Sequence, residues 1–135
     1  MLGTLQQSSL RIEVDATAAR IRESLVQPAN FRRWLWPQQF SEGLPHELTT
    51  GFVFKSYLGP VEIRHTVSHV DATQLLLLTA GGIDGFHEWY WGDGWVQSRL
   101  EGVSVLPLNL GQSVNLWRLK QFLALPEDIA SADLS

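Results

Sequence analysis

The sequence predicts an α+β domain: one strand, two short helices, about six antiparallel strands and a long closing helix. Three observations carry this. The hydrophobic period changes from helical to two near residue 44. Turn residues then recur at short intervals, at Gly51, Gly59-Pro60, Asp71-Ala72, Gly81-Gly82 and Gly92-Asp93-Gly94, and strands joined by turns this short must be antiparallel neighbours. The helical period returns over residues 111 to 125. The 135 residues fit a single domain, 1–135, with 1–7 and 126–135 expected as loose tails.

In residues 5 to 14, LQQSSLRIEV, apolar Leu10, Ile12 and Val14 alternate with polar neighbours, the mark of a half-buried strand. Asp15 is placed to cap a helix over 16 to 26, whose Ala18, Ile21 and Leu25 share one face and which Pro28 closes. Asn30 is placed to cap a second short helix, Phe31 to Trp36, stopped by Pro37. Strands are expected near 46–50, 51–58, 61–70, 74–80, 84–92 and 95–106. The final helix, with Val114, Leu116, Trp117, Leu119, Phe122 and Leu123, ends before Pro126.

Composition excludes several functions. There is no cysteine, hence no disulfide, thiolate metal site or thiol nucleophile. Ten basic against fourteen acidic residues give a formal charge of −4, and Arg32-Arg33 is the longest basic run. Neither phosphate neutralisation on a nucleic acid nor docking on an anionic membrane is expected. The longest aliphatic run, Leu75 to Leu78, is too short to span a bilayer, and the expected location is cytoplasmic. What stands out is the content of large flat side chains, six of them Trp.

The helical first segment, IEVDATAARIRESLVQPANFRRWLWP, the strand LTTGFVF and the closing helix together resemble the START-related, polyketide cyclase-like superfamily, SRPBCC. The likeness runs over roughly residues 8 to 125. It implies a helix-grip fold: a curved antiparallel sheet of about six to seven strands wrapped around the last helix, with a cavity between them. A sheet bent around one helix cannot fill its concave side with that helix alone, so large side chains or a ligand must occupy the rest.

Strand alternation assigns the faces. Val96, Ser98 and Leu100 face inward, against Gln97, Arg99 and Glu101; Phe52, Phe54 and Leu58 face inward, against Lys55. Val61, Ile63, His65, Val67 and His69 share the side opposite Glu62, Arg64, Thr66 and Ser68. The stretch GFHEWYWGDGW divides into Phe86, Glu88 and Tyr90 against His87, Trp89 and Trp91. Trp89 and Trp91 are assigned inside, because the alternative buries an unpaired carboxylate at Glu88. Glu88 and Arg99 then form an exposed cross-strand pair, and Gly92-Asp93-Gly94 is a tight turn. Leu75 to Leu78 is apolar on both faces, so a homodimer contact or the segment 1–7 is expected to cover the outer one.

The candidate ligand-binding set is accordingly Phe52, Phe54, His65, Trp89, Trp91 and Leu100, with Trp34 and Trp36 at the cavity mouth and Trp117 from the last helix. His65 and Tyr90 are the candidate catalytic residues. No metal and no cofactor is expected: His65 and His69 stand about 13 Å apart on a regular strand, at ~3.3 Å per residue. His87 and Glu88 lie on opposite faces. Gly81-Gly82-Ile83-Asp84-Gly85 lacks the following helix that a phosphate cradle requires. Three readings stay open: a module that holds an apolar, aromatic or lipid-like molecule; an enzyme of the cyclase, aromatase or dehydratase sort using His65 or Tyr90; and a protein-interaction or chaperone-activating domain.

Overall fold

The computed structural model describes residues 3–35 and 37–125. Seven strands form one antiparallel sheet: β1 (Thr4–Glu13), β2 (Gln39–Phe40), β3 (Val53–Leu58), β4 (Val61–Val70), β5 (Gln74–Gly81), β6 (Ile83–Gly92) and β7 (Trp95–Ser104). Helix α1 (Ala18–Val26), a 3₁₀ turn at Pro28–Asn30 and helix α2 (Phe31–Trp34) separate β1 from β2, and helix α3 (Leu108–Leu123) closes the chain. The order across the sheet is β1-β7-β6-β5-β4-β3-β2. With α3 gripped by the sheet, the architecture is the expected α+β helix-grip arrangement.

Consecutive strands from β2 to β7 pair as antiparallel neighbours, β2 and β3 across residues 41 to 52 and the rest through the short turns expected. The crossing from β1 to β7 is the long-range event that completes the sheet. It runs over all ten residues of β1, from Thr4 against Ser104 to Glu13 against Trp95. Residues 4 to 7 therefore belong to a strand and not to a loose tail, and they lie at the sheet edge remote from β5, so they do not cover Leu78. Their apolar-polar alternation is weak because Gln6 and Ser8 occupy inward positions and spend their side chains on α3 and the segment before it. The amide of Gln6 donates to Leu106 O at 2.9 Å and accepts from Leu108 N at 2.9 Å.

Curvature has a local cause. Gly85 on β6 stands opposite Gly102 on β7. A Cβ at Gly85 would strike the carbonyl oxygen of Glu101, and one at Gly102 that of Asp84. Bare backbone on both strands allows the close approach a sharply bent sheet needs.

Four further sequence expectations are corrected. Residues 46 to 50 form no strand; β2 takes the place beside β3, and Leu48 is plugged into the core with its N–H bonded to Val26 O at 2.8 Å. Helix α1 is capped by Thr17, whose hydroxyl accepts from Arg20 N, and by Asp93 from the β6–β7 turn, whose carboxylate accepts from Ala18 N at 2.8 Å. Asp15 has no part in it. Asn30 donates its amide to Glu23 O rather than capping α2, and α3 begins at Leu108, just after Pro107. The expected tail at 126–135 lies outside the described residues.

Helix α3 presents Gln112, Leu116, Leu119 and Leu123 to the interior, a spacing of three and four that places them on one face. The three leucines meet Ile21 and Leu25 of α1, Trp34 of α2 and Val96 of β7 in one core. Phe122 is buried between helices, with the guanidinium carbons of Arg20 and Arg33 at 4.8 and 5.5 Å from its ring centre. No helix among the described residues is long and apolar enough to cross a membrane.

Candidate functional site

Between α3, α2 and the inner face of β3 to β7 lies a cavity of about 280 Å³. Phe54, Leu75, Leu77, Trp89, Leu100 and Trp34 form much of its wall. Among the described residues the wall contains no Asp, Glu, Lys or Arg, and its polar members are His65, Thr79, His87, Gln38, Gln112 and Asn115. Leu58 and Leu110, 38% and 62% exposed, line it where it reaches solvent, between the β3–β4 hairpin and the first turn of α3.

The aromatic wall is built by strand parity. Phe54 stacks on His65 with ring centres 4.7 Å apart, the two being paired across β3 and β4. Trp89 meets Trp34 edge-on at 6.0 Å and His87 at 4.5 Å. Trp34 is held by its indole N–H, which donates to Ser24 O at 3.0 Å.

Each cavity histidine is held by a serine and a glutamine. Nε2 of His65 lies 2.7 Å from Ser56 Oγ, which also receives Gln38 Nε2 at 2.7 Å. Nε2 of His87 lies 2.7 Å from Ser98 Oγ, which receives Gln112 Nε2 at 3.0 Å. Ser56 and Ser98 are fully buried and lie behind the rings, so they orient the imidazoles and are not placed to attack a ligand. Burial lowers the pKa of His65 to about 4; burial, and then the nearby His65, lower that of His87 to about 3. Both rings are neutral at pH 7. His87 is half-buried and lines the cavity.

Two polar atoms at this wall are buried without any hydrogen-bond partner: His65 Nδ1 and Thr79 Oγ1. They belong to residues directly paired across β4 and β5. Buried polar groups are ordinarily satisfied, so this spot on an otherwise apolar wall is where a ligand's polar atom fits.

Of the residues singled out in the sequence, Phe54, His65, Trp89, Leu100 and Trp34 line the cavity. Phe52 and Trp91 stand behind that wall: Phe52 stacks on Phe54 at 6.3 Å, and Trp91 donates its indole N–H to Ala72 O. Trp117 does not reach the cavity; it is 62% exposed on the outer side of α3, one 100° step round the helix from Leu116. Tyr90 lies on the convex face, its hydroxyl 2.6 Å from Glu88 Oε2, and is no candidate for chemistry inside. A register shift between Val67 and His69 turns His69 outward, where it is bonded to Asp71 at 2.8 Å. Trp36 lies outside the described residues. Among the described residues no group of three or more His, Asp or Glu could hold a metal ion.

Sequence reasoning missed His87, Thr79, Gln38 and Gln112. His87 shares its parity with Trp89 and Trp91, a signal that was present. The glutamines carry none, since a polar residue reads as solvent-facing until its partner is known.

No protein-family model and no curated protein matches this chain. Solved structures do. Protein CV1439 from Chromobacterium violaceum superposes with a TM-score of 0.72 at 16% identity, over 89% of this chain and 99% of that one. The Aha1 dimer from Colwellia psychrerythraea gives 0.65 at 16% identity, over 90% and 98%. DynU16, a protein of the dynemicin biosynthetic locus, gives 0.65 at 17% identity over 87% of this chain; the chain spans 46% of that protein's length. At such identities the likeness is one of fold, and the fold is of the SRPBCC type.

Proposed function

We propose that this domain binds one small, largely apolar molecule in the cavity between α3 and the sheet. The observation that carries the reading is an uncharged, aromatic-walled space of about 280 Å³ with two buried polar atoms, His65 Nδ1 and Thr79 Oγ1, left without partners. Empty, such a wall forfeits dispersion contacts and two hydrogen bonds; a bound molecule restores both. The volume sits at the lower edge of the usual ~300–1,000 Å³ range for ligand pockets, which favours a compact ring system over a long acyl chain.

The test uses N-phenyl-1-naphthylamine, a neutral apolar probe. Saturable binding with one site per chain, lost in Leu100→Trp while the variant still melts cooperatively, is the expected result. Absence of saturable binding overturns the reading. Native mass spectrometry of the freshly purified protein checks it independently by the mass of a co-purifying molecule.

Acid–base chemistry on the bound molecule is the second reading, favoured by two oriented imidazoles in a dry cavity. Their low pKa values make them weak bases at neutral pH, where an efficient proton carrier would have a pKa near 7. Holding is therefore preferred to converting. For the interaction reading, Trp34, Trp89 and Trp91 are buried, so no Trp-rich surface forms among the described residues. A homodimer through the convex face is kept as part of the proposal. Val53 and Leu78, each 48% exposed, lie in one cross-strand row through Thr66, and one solved neighbour is described as a dimer. Sedimentation equilibrium checks it: a dimer broken by Leu78→Lys supports it, and a monomer at high concentration ends it.

A further inference from the structure

We infer that the cavity selects a neutral molecule bearing a carbonyl oxygen, because its free polar atoms act as hydrogen-bond donors and no charged group accompanies them. The inference rests on the binding reading above and specifies the ligand's chemistry.

The donors follow from proton accounting. Gln112 Nε2 donates to the carbonyl oxygens of Ser98 at 2.9 Å and Ser8 at 3.2 Å, which fixes the orientation of the amide, since a carbonyl oxygen has no proton to give. The same nitrogen faces Ser98 Oγ at 3.0 Å and cannot accept its proton. The remaining neighbour of Ser98 Oγ is His87 Nε2 at 2.7 Å, so the hydroxyl donates there. A neutral imidazole whose Nε2 accepts carries its proton on Nδ1. The second trio has the same arrangement without backbone carbonyls to fix its amide: Gln38 Nε2 donates to Ser56 Oγ at 2.7 Å, which leaves the hydroxyl to donate to His65 Nε2 and the ring proton on Nδ1.

Neither Nδ1–H has a protein acceptor among the described residues. Thr79 Oγ1, paired in register with His65, adds a free hydroxyl. The cavity thus offers two fixed N–H donors and one hydroxyl to whatever it holds. A carbonyl oxygen has two lone pairs and brings no donor needing an acceptor. A carboxylate would lose its hydration without a cation to replace it, since the wall contains none, and an ammonium would find no carboxylate.

The experiment compares three molecules on one skeleton by quenching of Trp emission: 2-acetylnaphthalene, its hydrocarbon isostere 2-isopropenylnaphthalene, and 2-naphthoate. The ketone is expected to bind about fivefold or more tighter than the isostere, as one or two net hydrogen bonds provide, with naphthoate weakest. Equal affinity of ketone and isostere, or tightest binding of naphthoate, overturns this inference and leaves the binding reading standing. Failure of all three to bind overturns both. Nitrogen-15 NMR of the histidines in the unmodified protein reads the tautomers without any variant. Nδ1–H signals for His65 and His87 support the inference, and an Nε2–H signal for His87 defeats it. In Ser98→Ala, where Nε2 loses its donor, the preference for the ketone over the isostere is expected to shrink while the isostere's affinity holds. An undiminished preference in a folded variant whose His87 proton has moved to Nε2 counts against the inference.

Discussion

The carboxylate of Asp93 accepts the backbone N–H of Ala18 at 2.8 Å, across 75 residues of sequence, so the turn joining the two strands behind the cavity also caps helix α1. Two backbone bonds reinforce the junction, Val14 N to Gly94 O at 3.0 Å and Gly94 N to Ala16 O at 2.9 Å. Gly94 takes a φ of 82°, which the turn requires and a side chain would resist. Asp93→Ala should destabilise the domain by about 1 kcal/mol, the usual worth of a helix cap, with Asp93→Asn milder. Urea denaturation checks this, and an unchanged midpoint would remove Asp93 from the cap.

Phe122 welds α3 to the first two helices, with Arg20 and Arg33 over its ring. Phe122→Ala should cost about 3–5 kcal/mol, and Phe122→Leu clearly less, since most of the buried volume is kept. Thermal melts of the two variants measure the difference.

The buried histidines make stability sensitive to acid in a defined window. Both native rings hold pKa values below the ordinary 6.5, about 4 for His65 and about 3 for His87. Above pH 6.5 native and unfolded imidazoles are both neutral and contribute no pH dependence. Below it the unfolded chain binds protons the native one refuses, so stability falls from about pH 6.5 down to the native values. The slope attributable to the pair approaches two protons per molecule near pH 5. Measured against the wild type, the double variant His65→Leu, His87→Leu should lose that part of the slope, and equal slopes would show that the rings are better solvated than their positions imply.

Trp89 and Trp117, two of the chain's six Trp, differ sharply in exposure. Acrylamide should quench Trp117, 62% exposed, far more readily than Trp89, 5% exposed. Ligand-induced changes in emission should survive Trp117→Phe and be reduced in Trp89→Phe, the remainder coming from Trp34 in the same wall. Tyr90→Phe should leave probe affinity unchanged, because its hydroxyl meets Glu88 on the convex face.

Arg99 sits 3.7 Å from both Glu88 and Glu101 and is half exposed. Arg99→Ala should cost no more than about 1 kcal/mol, and less in high salt. A larger loss would point to packing of its stem on Phe86, 5.4 Å from the guanidinium carbon.

The strands from β3 to β7 were legible because they are bounded by glycine or aspartate turns and all but β5, apolar on both faces at Leu75 to Leu78, alternate; the inward parity of Phe54, His65 and Leu100 followed from that, and that of Trp89 from the cost of burying Glu88. Where parity failed there was a physical reason. A register shift after Val67 sends His69 to the surface, and nothing in VEIRHTVSHV announces it. Trp117 was misplaced because α3 is apolar on both sides, with Val114 and Leu110 exposed beside it, so periodicity could not tell the packed face from the free one. Gln112 reverses the error, a polar residue buried because Ser8 and Ser98 supply its hydrogen bonds. Asp93 was readable as a turn residue; its second role depends on how close β6–β7 comes to α1, which only the fold decides.

The pairing of β1 with β7 joins residues between 82 and 100 positions apart. The loop that must close to form it encloses every other strand, and topologies with such distant contacts fold slowly. Helix α3 docks on those same two strands, with Gln112 bonded to Ser8 of one and Ser98 of the other. The support behind His87 depends on that closure: Gln112, which donates to Ser98, is itself anchored on Ser8 of the first strand. A molecule that occupies this cavity acts on the finished protein alone, slowing its unfolding while leaving the rate of folding as it was.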